Sequence, residues 1–179
     1  LAQSAAAKGY GKDPNLLEVH TPGKLWPLTL SQQQRRTASV LSDAILPAEG
    51  EWPAASKLGA VEFVDEWVSA PYEPMKTDRT LILEGLAWLD TEAQRRFGTR
   101  FADLEQAQVA KICDDICTGP TPRQGLERAT RFFTRCPTLV AAAYYTTPIG
   151  MRDIGYVGNK PLAKFDGPPA EVMKKLGLA

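Results

Sequence analysis

The stretch Ala60-Val-Glu-Phe-Val-Asp-Glu-Trp-Val-Ser69 decides the fold class of this chain. Its apolar side chains recur at intervals of three and four residues, which places them on one face of an α-helix, and its three carboxylates lie largely on the opposite face. The apolar face consists of Val61, Val64, Trp67 and Val68. The stretch therefore predicts a short amphipathic helix with one buried side.

Four more segments carry the same periodicity. The five predicted helices run from Thr29 to Ile45, from Ala60 to Ser69, from Thr77 or Asp78 to Phe97, from Leu104 to Cys117 and from Pro122 to Tyr145. Thr29 and Gln32 form a capping-box pattern at the start of the first predicted helix. Gly85 costs its helix about 1 kcal/mol relative to alanine, which indicates close packing there. Pro137 is expected to kink or split the last helix.

The two ends of the chain lack this periodicity. Residues 1–28 are punctuated by glycine and proline and are predicted to form an extended arm. Residues 146–179 are also rich in both, but they are too apolar and aromatic for a solvated tail. We therefore predict an all-α fold without internal repeats: the arm, a compact domain of about five helices over residues 29–145, and a long irregular carboxy-terminal tail that docks on a partner. A short last helix is expected from Pro169 to Leu176.

The charge balance excludes some classes of partner. Lysine plus arginine and aspartate plus glutamate number 21 each, so the chain carries no net charge at pH 7. Without a basic surplus, nucleic-acid binding is disfavoured. No apolar run approaches the roughly 18 residues that a membrane-spanning helix requires. A partner is therefore expected to recognise this chain by shape and local chemistry.

The three cysteines, Cys113, Cys117 and Cys136, form no C-x-x-C pair. Cys113 and Cys117 lie four residues apart on one predicted helix, a spacing that seldom suits a disulfide. A disulfide would therefore join Cys136 to one of the other two, and Cys117 with Cys136 is the candidate pair. The alternative is that the cysteines are small buried thiols of the core.

Residues able to perform catalysis are few. The single histidine, His20, lies in the predicted arm, and no phosphate-binding or dinucleotide-binding glycine motif occurs. The carboxylate pairs Asp65-Glu66 and Asp114-Asp115 are neighbours on helices and point in different directions, so solvated charges or helix-end interactions are the favoured interpretation. We therefore predict no catalytic, cofactor-binding or metal-binding residue in this chain.

The junction of the helical domain and the tail offers the best candidates for a partner interface, because aromatic and apolar side chains are favoured interface anchors. The candidates are Tyr144, Tyr145, Met151, Ile154, Tyr156, Asn159, Leu162 and Phe165. For Tyr144 and Tyr145, packing in the core is an equally good interpretation. Trp67 and Trp88 lie on or beside apolar helix faces and are assigned to the core.

Four segments are notable for their order and spacing: Ala60-Val-Glu-Phe-Val-Asp-Glu-Trp-Val-Ser-Ala-Pro-Tyr72, Gly85-Leu-Ala-Trp-Leu-Asp90, Arg96-Phe-Gly-Thr-Arg-Phe-Ala-Asp-Leu104 and Gly150-Met-Arg-Asp-Ile-Gly-Tyr-Val-Gly-Asn159. Together they resemble the gluconate 2-dehydrogenase subunit 3 family. The resemblance runs from about Thr29 to the end of the chain and includes the Gly-Pro-Pro of residues 167–169.

This resemblance implies a small, non-catalytic subunit that accompanies a large flavoprotein of the glucose–methanol–choline oxidoreductase type. The large subunit of such complexes holds FAD and the catalytic groups, and a cytochrome c carrying haem c is often a third component. Members oxidise gluconate, glucosides or related sugars in the bacterial periplasm. The small subunit supports maturation, export and stability of the flavoprotein and typically carries a twin-arginine signal. Residues 1–7 resemble the surroundings of a signal cleavage site.

Two other functions stay open from the residues alone. One is a free-standing helical enzyme that uses carboxylates such as Asp65 or Asp153. The other is a binding module unrelated to redox chemistry. A yellow complex that is larger than the isolated chain would distinguish the accessory subunit from both.

Overall fold

The structure of the protein is a computed structural model, which describes residues 21–117, 123–158, 164 and 167–178. These residues form seven α-helices and no strand, so the all-α prediction is confirmed. The helices are α1 (Gln32–Ile45), α2 (Ala60–Ser69), α3 (Glu73–Phe97), α4 (Gln106–Ile116), α5 (Glu127–Tyr145), α6 (Pro148–Asp153) and α7 (Ala170–Lys175). Two short 3-10 turns lie at Ala55–Leu58 and Phe101–Asp103.

The five long helices correspond to the five predicted helices, but only α2 starts at the predicted residue; α4 starts at Gln106 and α5 at Glu127, each later than predicted. The capping box of α1 is formed by Ser31 and Gln34, not by Thr29 and Gln32. Helix α3 starts at Glu73, ahead of the predicted start, with proline in its first turn. The missing N–H of a proline costs nothing there, because the first amides of a helix have no intrahelical partner. The predicted end of α3 at Gly98 is confirmed by its left-handed backbone, with φ of 72°.

Helix α5 contains Pro137 and continues through it, so the proline does not split the helix. The buried face of α5 extends to both sides of the proline, through Phe132 and Cys136 before it and Leu139 and Val140 after it. Burial of these side chains holds both halves of the helix against the core, although the proline removes one backbone hydrogen bond. The predicted start at Pro122 lies outside the described residues.

Helix α2 packs against α1, α3 and α5, and most of its residues are buried. The predicted apolar face is buried at Val61, Val64 and Val68. The predicted polar face is not solvated as a whole. Asp65 on that face is fully buried, because the chain that precedes α1 folds over it.

The buried carboxylate of Asp65 is fully paired. Its Oδ1 accepts hydrogen bonds from the backbone N–H groups of Thr29 at 3.0 Å and Leu30 at 2.9 Å. Its Oδ2 accepts a hydrogen bond from Nη1 of Arg35 in α1 at 2.7 Å. The carboxylate therefore ties the residues between the arm and α1, and the first turn of α1 itself, to α2.

The described part of the arm is held by further contacts to α2 and α3. The backbone N–H of Gly23 donates to Oε2 of Glu66 at 2.9 Å. The indole N–H of Trp26 donates to the Glu66 carbonyl at 3.3 Å, and its ring meets the ring of Tyr72 edge-on, with centroids 6.1 Å apart. An irregular segment is thus fixed by backbone and side-chain hydrogen bonds.

Helices α3 and α5 pack tightly against each other at Gly85. A Cβ atom on Gly85 would overlap the ring of Phe132, so the predicted close packing at this glycine is confirmed. Nearby, Asp78 accepts hydrogen bonds from the indole of Trp67 and the guanidinium of Arg135, each at 2.7 Å. Burial alone would raise the pKa of Asp78, but these two donors outweigh it and lower that pKa. Trp67 and Trp88 pack partly buried against the core.

The candidate disulfide between Cys117 and Cys136 is not formed, because Cys117 is exposed just beyond α4 and Cys136 is buried in α5. All three cysteines are free thiols. Burial raises the pKa of Cys113 to about 12 and also raises that of Cys136, so both stay protonated at neutral pH. Cys113 and Cys136 therefore match the alternative interpretation of small buried thiols.

Substitution of Gly85 by alanine should destabilise the protein by about 2 kcal/mol or more, because the added methyl group overlaps the Phe132 ring. Urea denaturation of the full chain measures this effect. In the Gly85→Ala/Phe132→Leu double variant, removal of the ring should relieve the overlap. The double variant should then lose less free energy than the sum of the two single variants. Strict additivity would contradict the proposed contact.

Substitution of Asp65 by asparagine should destabilise the protein by about 3 kcal/mol, because it removes the fully buried carboxylate that pairs with Arg35 and puts an amide group in its place. The matched control is Glu62→Gln, which removes the other carboxylate that pairs with Arg35. Glu62 is 47% exposed, so its loss should cost less than about 1 kcal/mol. Equal effects of the two substitutions in urea denaturation would show that burial of Asp65 is not what stabilises the arm.

Candidate partner-docking surface

Large apolar side chains are exposed in two regions of the described chain. Leu25 and Leu28 are exposed in the arm. Six more follow α6, namely Ile154, Tyr156, Val157, Val172, Leu176 and Leu178. Single exposed apolar residues are ordinary, but several of them in one segment of the chain are typical of a binding surface. We call these six residues the tail surface.

The tail surface begins on a rigid support. The side chain of Thr147 caps α6 by accepting a hydrogen bond from the Gly150 N–H at 3.0 Å, and its hydroxyl donates to the Tyr144 carbonyl at 2.8 Å. Gly150 is buried, and a Cβ atom there would overlap the Tyr144 carbonyl. Helix α6 therefore lies directly on the end of α5, and the packed body of the protein continues past the predicted boundary at residue 145.

The end of α6 turns the chain sharply outward. Gly155 adopts a left-handed conformation with φ of 65°. Its N–H donates to the Arg152 carbonyl at 3.0 Å, and the N–H of Tyr156 donates to the Met151 carbonyl at 2.8 Å. This pair of bonds is the Schellman motif, which ends many helices. It leaves Ile154 57% exposed and Tyr156 54% exposed.

Tyr144 belongs to the core and not to the surface, which corrects its assignment to the interface. It is 3% exposed and packs in a second apolar cluster with Ala55, Ala60, Val140 and Ala143. Burial raises the pKa of its hydroxyl, and the nearby Asp153 carboxylate adds to this effect. A side chain buried to this extent cannot contact a partner while α5 remains folded.

The other predicted interface residues divide into three groups. Tyr145 and Met151 are partly exposed, and the ring of Tyr145 meets that of Tyr144 edge-on at 5.0 Å. Ile154 and Tyr156 are exposed, as an interface requires. The remaining three, Asn159, Leu162 and Phe165, lie outside the described residues.

The sequence-based list of interface residues omitted part of the exposed surface. Val157 is 71% exposed. Helix α7 has no buried residue, and both Val172 within it and Leu176 directly after it are exposed. The apolar composition of the tail indicated that these residues contact something. Composition does not show which of them are exposed in the isolated chain and which pack on the body of the protein. Leu25 was expected to be buried as one of the apolar residues of the arm, but it is exposed, as is Leu28, which no pattern marked.

The candidate catalytic carboxylates do not converge on a pocket. Asp65 is buried and paired, and Asp115 is bound by the guanidinium groups of Arg96 and Arg123. The Arg96 hydrogen bond in particular lowers the pKa of Asp115. Asp114 is exposed, Asp153 is partly exposed at the end of α6, and His20 lies outside the described residues. Among the described residues, no group of three or more histidine, cysteine, aspartate or glutamate side chains could hold a metal ion.

An open apolar groove of about 400 Å³ lies between α1 and α4. Its walls include Val40, Ala44, Leu104 and Val109. The one carboxylate that lines it, Asp43, accepts hydrogen bonds from the backbone N–H and the hydroxyl of Ser56, each at 2.8 Å. The groove thus presents apolar walls and a carboxylate that is already engaged in a local cap.

No described helix is both long and apolar enough to cross a lipid bilayer. The sequence model of a family described as gluconate 2-dehydrogenase subunit 3 matches residues 32–167. This match covers more than half of the chain, from α1 through α6, and ends before α7. No curated protein and no solved structure gives a significant match.

The tail surface and the core should respond differently to substitution. Tyr144→Ala should destabilise the protein by about 3 kcal/mol, because it leaves a cavity beneath α6. The triple variant Ile154→Ser/Tyr156→Ser/Val157→Ser should change the free energy of unfolding by less than about 1 kcal/mol, because these side chains are exposed. Urea denaturation of both variants tests this contrast. A triple variant as unstable as Tyr144→Ala would place these residues in the core.

Proposed function

The chain belongs to the gluconate 2-dehydrogenase subunit 3 family, and from this membership we propose that it is the non-catalytic small subunit of an FAD-dependent dehydrogenase complex. The complex would oxidise gluconate, a glucoside or a related sugar in the periplasm. Its large subunit, a flavoprotein of the glucose–methanol–choline type, would hold FAD and the catalytic groups. A cytochrome c subunit with haem c would accept electrons where one is present.

The observation that carries this proposal, besides the family, is the tail surface on its rigid support. Exposure of Ile154, Tyr156 and Val157 is unfavourable in water, at about 25 cal/mol for each Å² of apolar area. A partner that covers these side chains recovers that free energy. A folded body with one exposed apolar segment is what a subunit of a permanent complex requires.

The role of the chain would be to support maturation, export and stability of the flavoprotein. A partner that binds the folded large subunit and not its unfolded form stabilises the folded form by mass action. This role needs a docking surface but no catalytic group. A free-standing carboxylate enzyme has less support, because Asp65 is buried with both oxygens accepting hydrogen bonds.

Co-purification tests the proposed function. The tagged full chain, expressed with the other proteins of its native host, should retain a larger protein with the absorbance of an oxidised flavin. A variant that ends at Asp153 keeps the packed body through α6 and lacks the tail surface. It should retain at least about tenfold less flavoprotein, because interface anchors contribute most of the binding free energy.

The control for this experiment is Ala87→Ser, an exposed position on α3 away from the tail. It should retain the flavoprotein as the unaltered chain does, and thermal unfolding should confirm that all three proteins are folded. A full chain that retains no flavoprotein would contradict the proposed function. A colourless chain that oxidises sugars alone would contradict it as well.

A further inference from the structure

A six-residue pattern occurs twice in the carboxy-terminal segment. The two copies are Met151-Arg-Asp-Ile-Gly-Tyr156 and Met173-Lys-Lys-Leu-Gly-Leu178. Each has methionine, a basic residue, a charged residue, a branched aliphatic residue, glycine and a large apolar residue, in that order. This repeat was absent from the sequence-based prediction, because six residues are too few to stand out without their structure.

The two copies have the same backbone conformation. Each copy begins at the fourth residue of a six-residue helix, which is α6 for the first copy and α7 for the second. The residue at the helix end has φ of −84° in Ile154 and −86° in Leu176. The next residue is left-handed in both, with φ of 65° in Gly155 and 67° in Gly177.

The hydrogen bonds of the two turns also correspond. The Gly177 N–H donates to the Lys174 carbonyl at 3.1 Å, and the Leu178 N–H donates to the Met173 carbonyl at 2.9 Å. These are the two bonds of the Schellman motif that also ends α6. The two segments thus present their side chains in the same relative directions.

The equivalent apolar side chains are exposed to a similar extent. Leu176 is 62% exposed and Leu178 is 66% exposed, close to the values of Ile154 and Tyr156. In an ordinary Schellman motif, the residue after the glycine packs on its own helix. Here more than half of each side chain remains uncovered, so helix capping alone does not account for their apolar character.

A basic residue accompanies the apolar group in both copies. Arg152 and Lys174 occupy the same position, both are exposed, and neither takes part in an ion pair within the described residues. The surface complementary to one copy, with its exposed apolar side chains and its basic residue, is an apolar pocket with a carboxylate at its border. Opposite charges across an interface favour binding and fix the register of the two partners.

The length of the segment agrees with the size of a stable interface. One copy is too short to form such an interface by itself. The segment from Met151 to Leu178 has 28 residues. A stable protein–protein interface commonly involves about 20 to 30 residues on each side.

We propose that these two segments, residues 151–156 and 173–178, are equivalent anchors that occupy two apolar pockets, each bordered by a carboxylate, on the flavoprotein large subunit. The proposal rests on the proposed function for the identity of the partner. The two anchors bind one partner molecule and strengthen each other, because the first to bind raises the effective concentration of the second.

The test uses the full chain and the flavoprotein it retains. Ile154→Ser/Tyr156→Ser removes the first anchor, and Leu176→Ser/Leu178→Ser removes the second. Each should weaken binding in surface plasmon resonance by at least about 100-fold, because loss of one anchor abolishes the avidity of the pair. Removal of both anchors should abolish detectable binding.

An exchange of anchors is the sharper measurement. Residues 151–156 are replaced by the sequence of residues 173–178. If the anchors are equivalent, this variant should bind the flavoprotein within about tenfold of the unaltered chain, far above the variant without the first anchor. Gly155→Ala/Gly177→Ala keeps every apolar side chain but disfavours both left-handed turns, and it should weaken binding strongly.

Charge reversal tests the carboxylates. Arg152→Glu/Lys174→Glu should weaken binding and reverse its dependence on salt, whereas Lys111→Glu, an exposed position on α4, should do neither. Unchanged binding after loss of the second anchor would overturn the proposal, and so would loss of binding in a folded exchange variant. Retention of flavoprotein by all variants, with loss of binding to anionic phospholipid vesicles, would assign the anchors to a membrane and overturn it too. If the unaltered chain retains no flavoprotein, the proposed function itself fails.

Discussion

The buried carboxylate of Asp65 is the interaction on which the rest of this structure depends. A charge inside a protein is tolerated only when it is paired and hydrogen-bonded, because its transfer from water is costly. Asp65 meets that condition through four donors: the backbone N–H groups of Thr29 and Leu30, the guanidinium of Arg35 and, at 3.4 Å, the hydroxyl of Ser69. The path of the chain before α1 and the position of α1 against α2 are therefore determined together.

Charged contacts at the edge of the core also join the helices to one another. The guanidinium of Arg79 in α3 donates to the carbonyls of Val68, Ser69 and Ala70 and so completes the end of α2. Arg96 in α3 pairs with Asp115 in α4 and with Glu92. The hydrogen bond from Arg95, with that from Arg96, lowers the pKa of Glu92 to about 2. The polar groups of the body are largely satisfied within the body.

The carboxy-terminal segment shows the opposite condition. Its helices end in hydrogen-bonded turns, yet six of the large apolar side chains among its described residues are exposed. Local bonds thus fix the shape of the segment without covering its apolar surface. This division of the chain into a satisfied body and an unsatisfied segment fits a subunit of a larger complex, and membership of a dehydrogenase subunit family agrees with it.

The amino-acid sequence by itself determined the helical class, the five long helices and the close packing at Gly85. Periodicity, capping residues and glycine are local signals, and they report on local structure. The burial of Asp65 and Tyr144, the free thiols and the attachment of α6 were decided by the tertiary structure. Each depends on which distant segment covers a given face, and a helical pattern shows that a residue is polar or apolar without showing what lies above it. The same reason explains why the two anchors became visible only when their backbone angles and exposure could be compared.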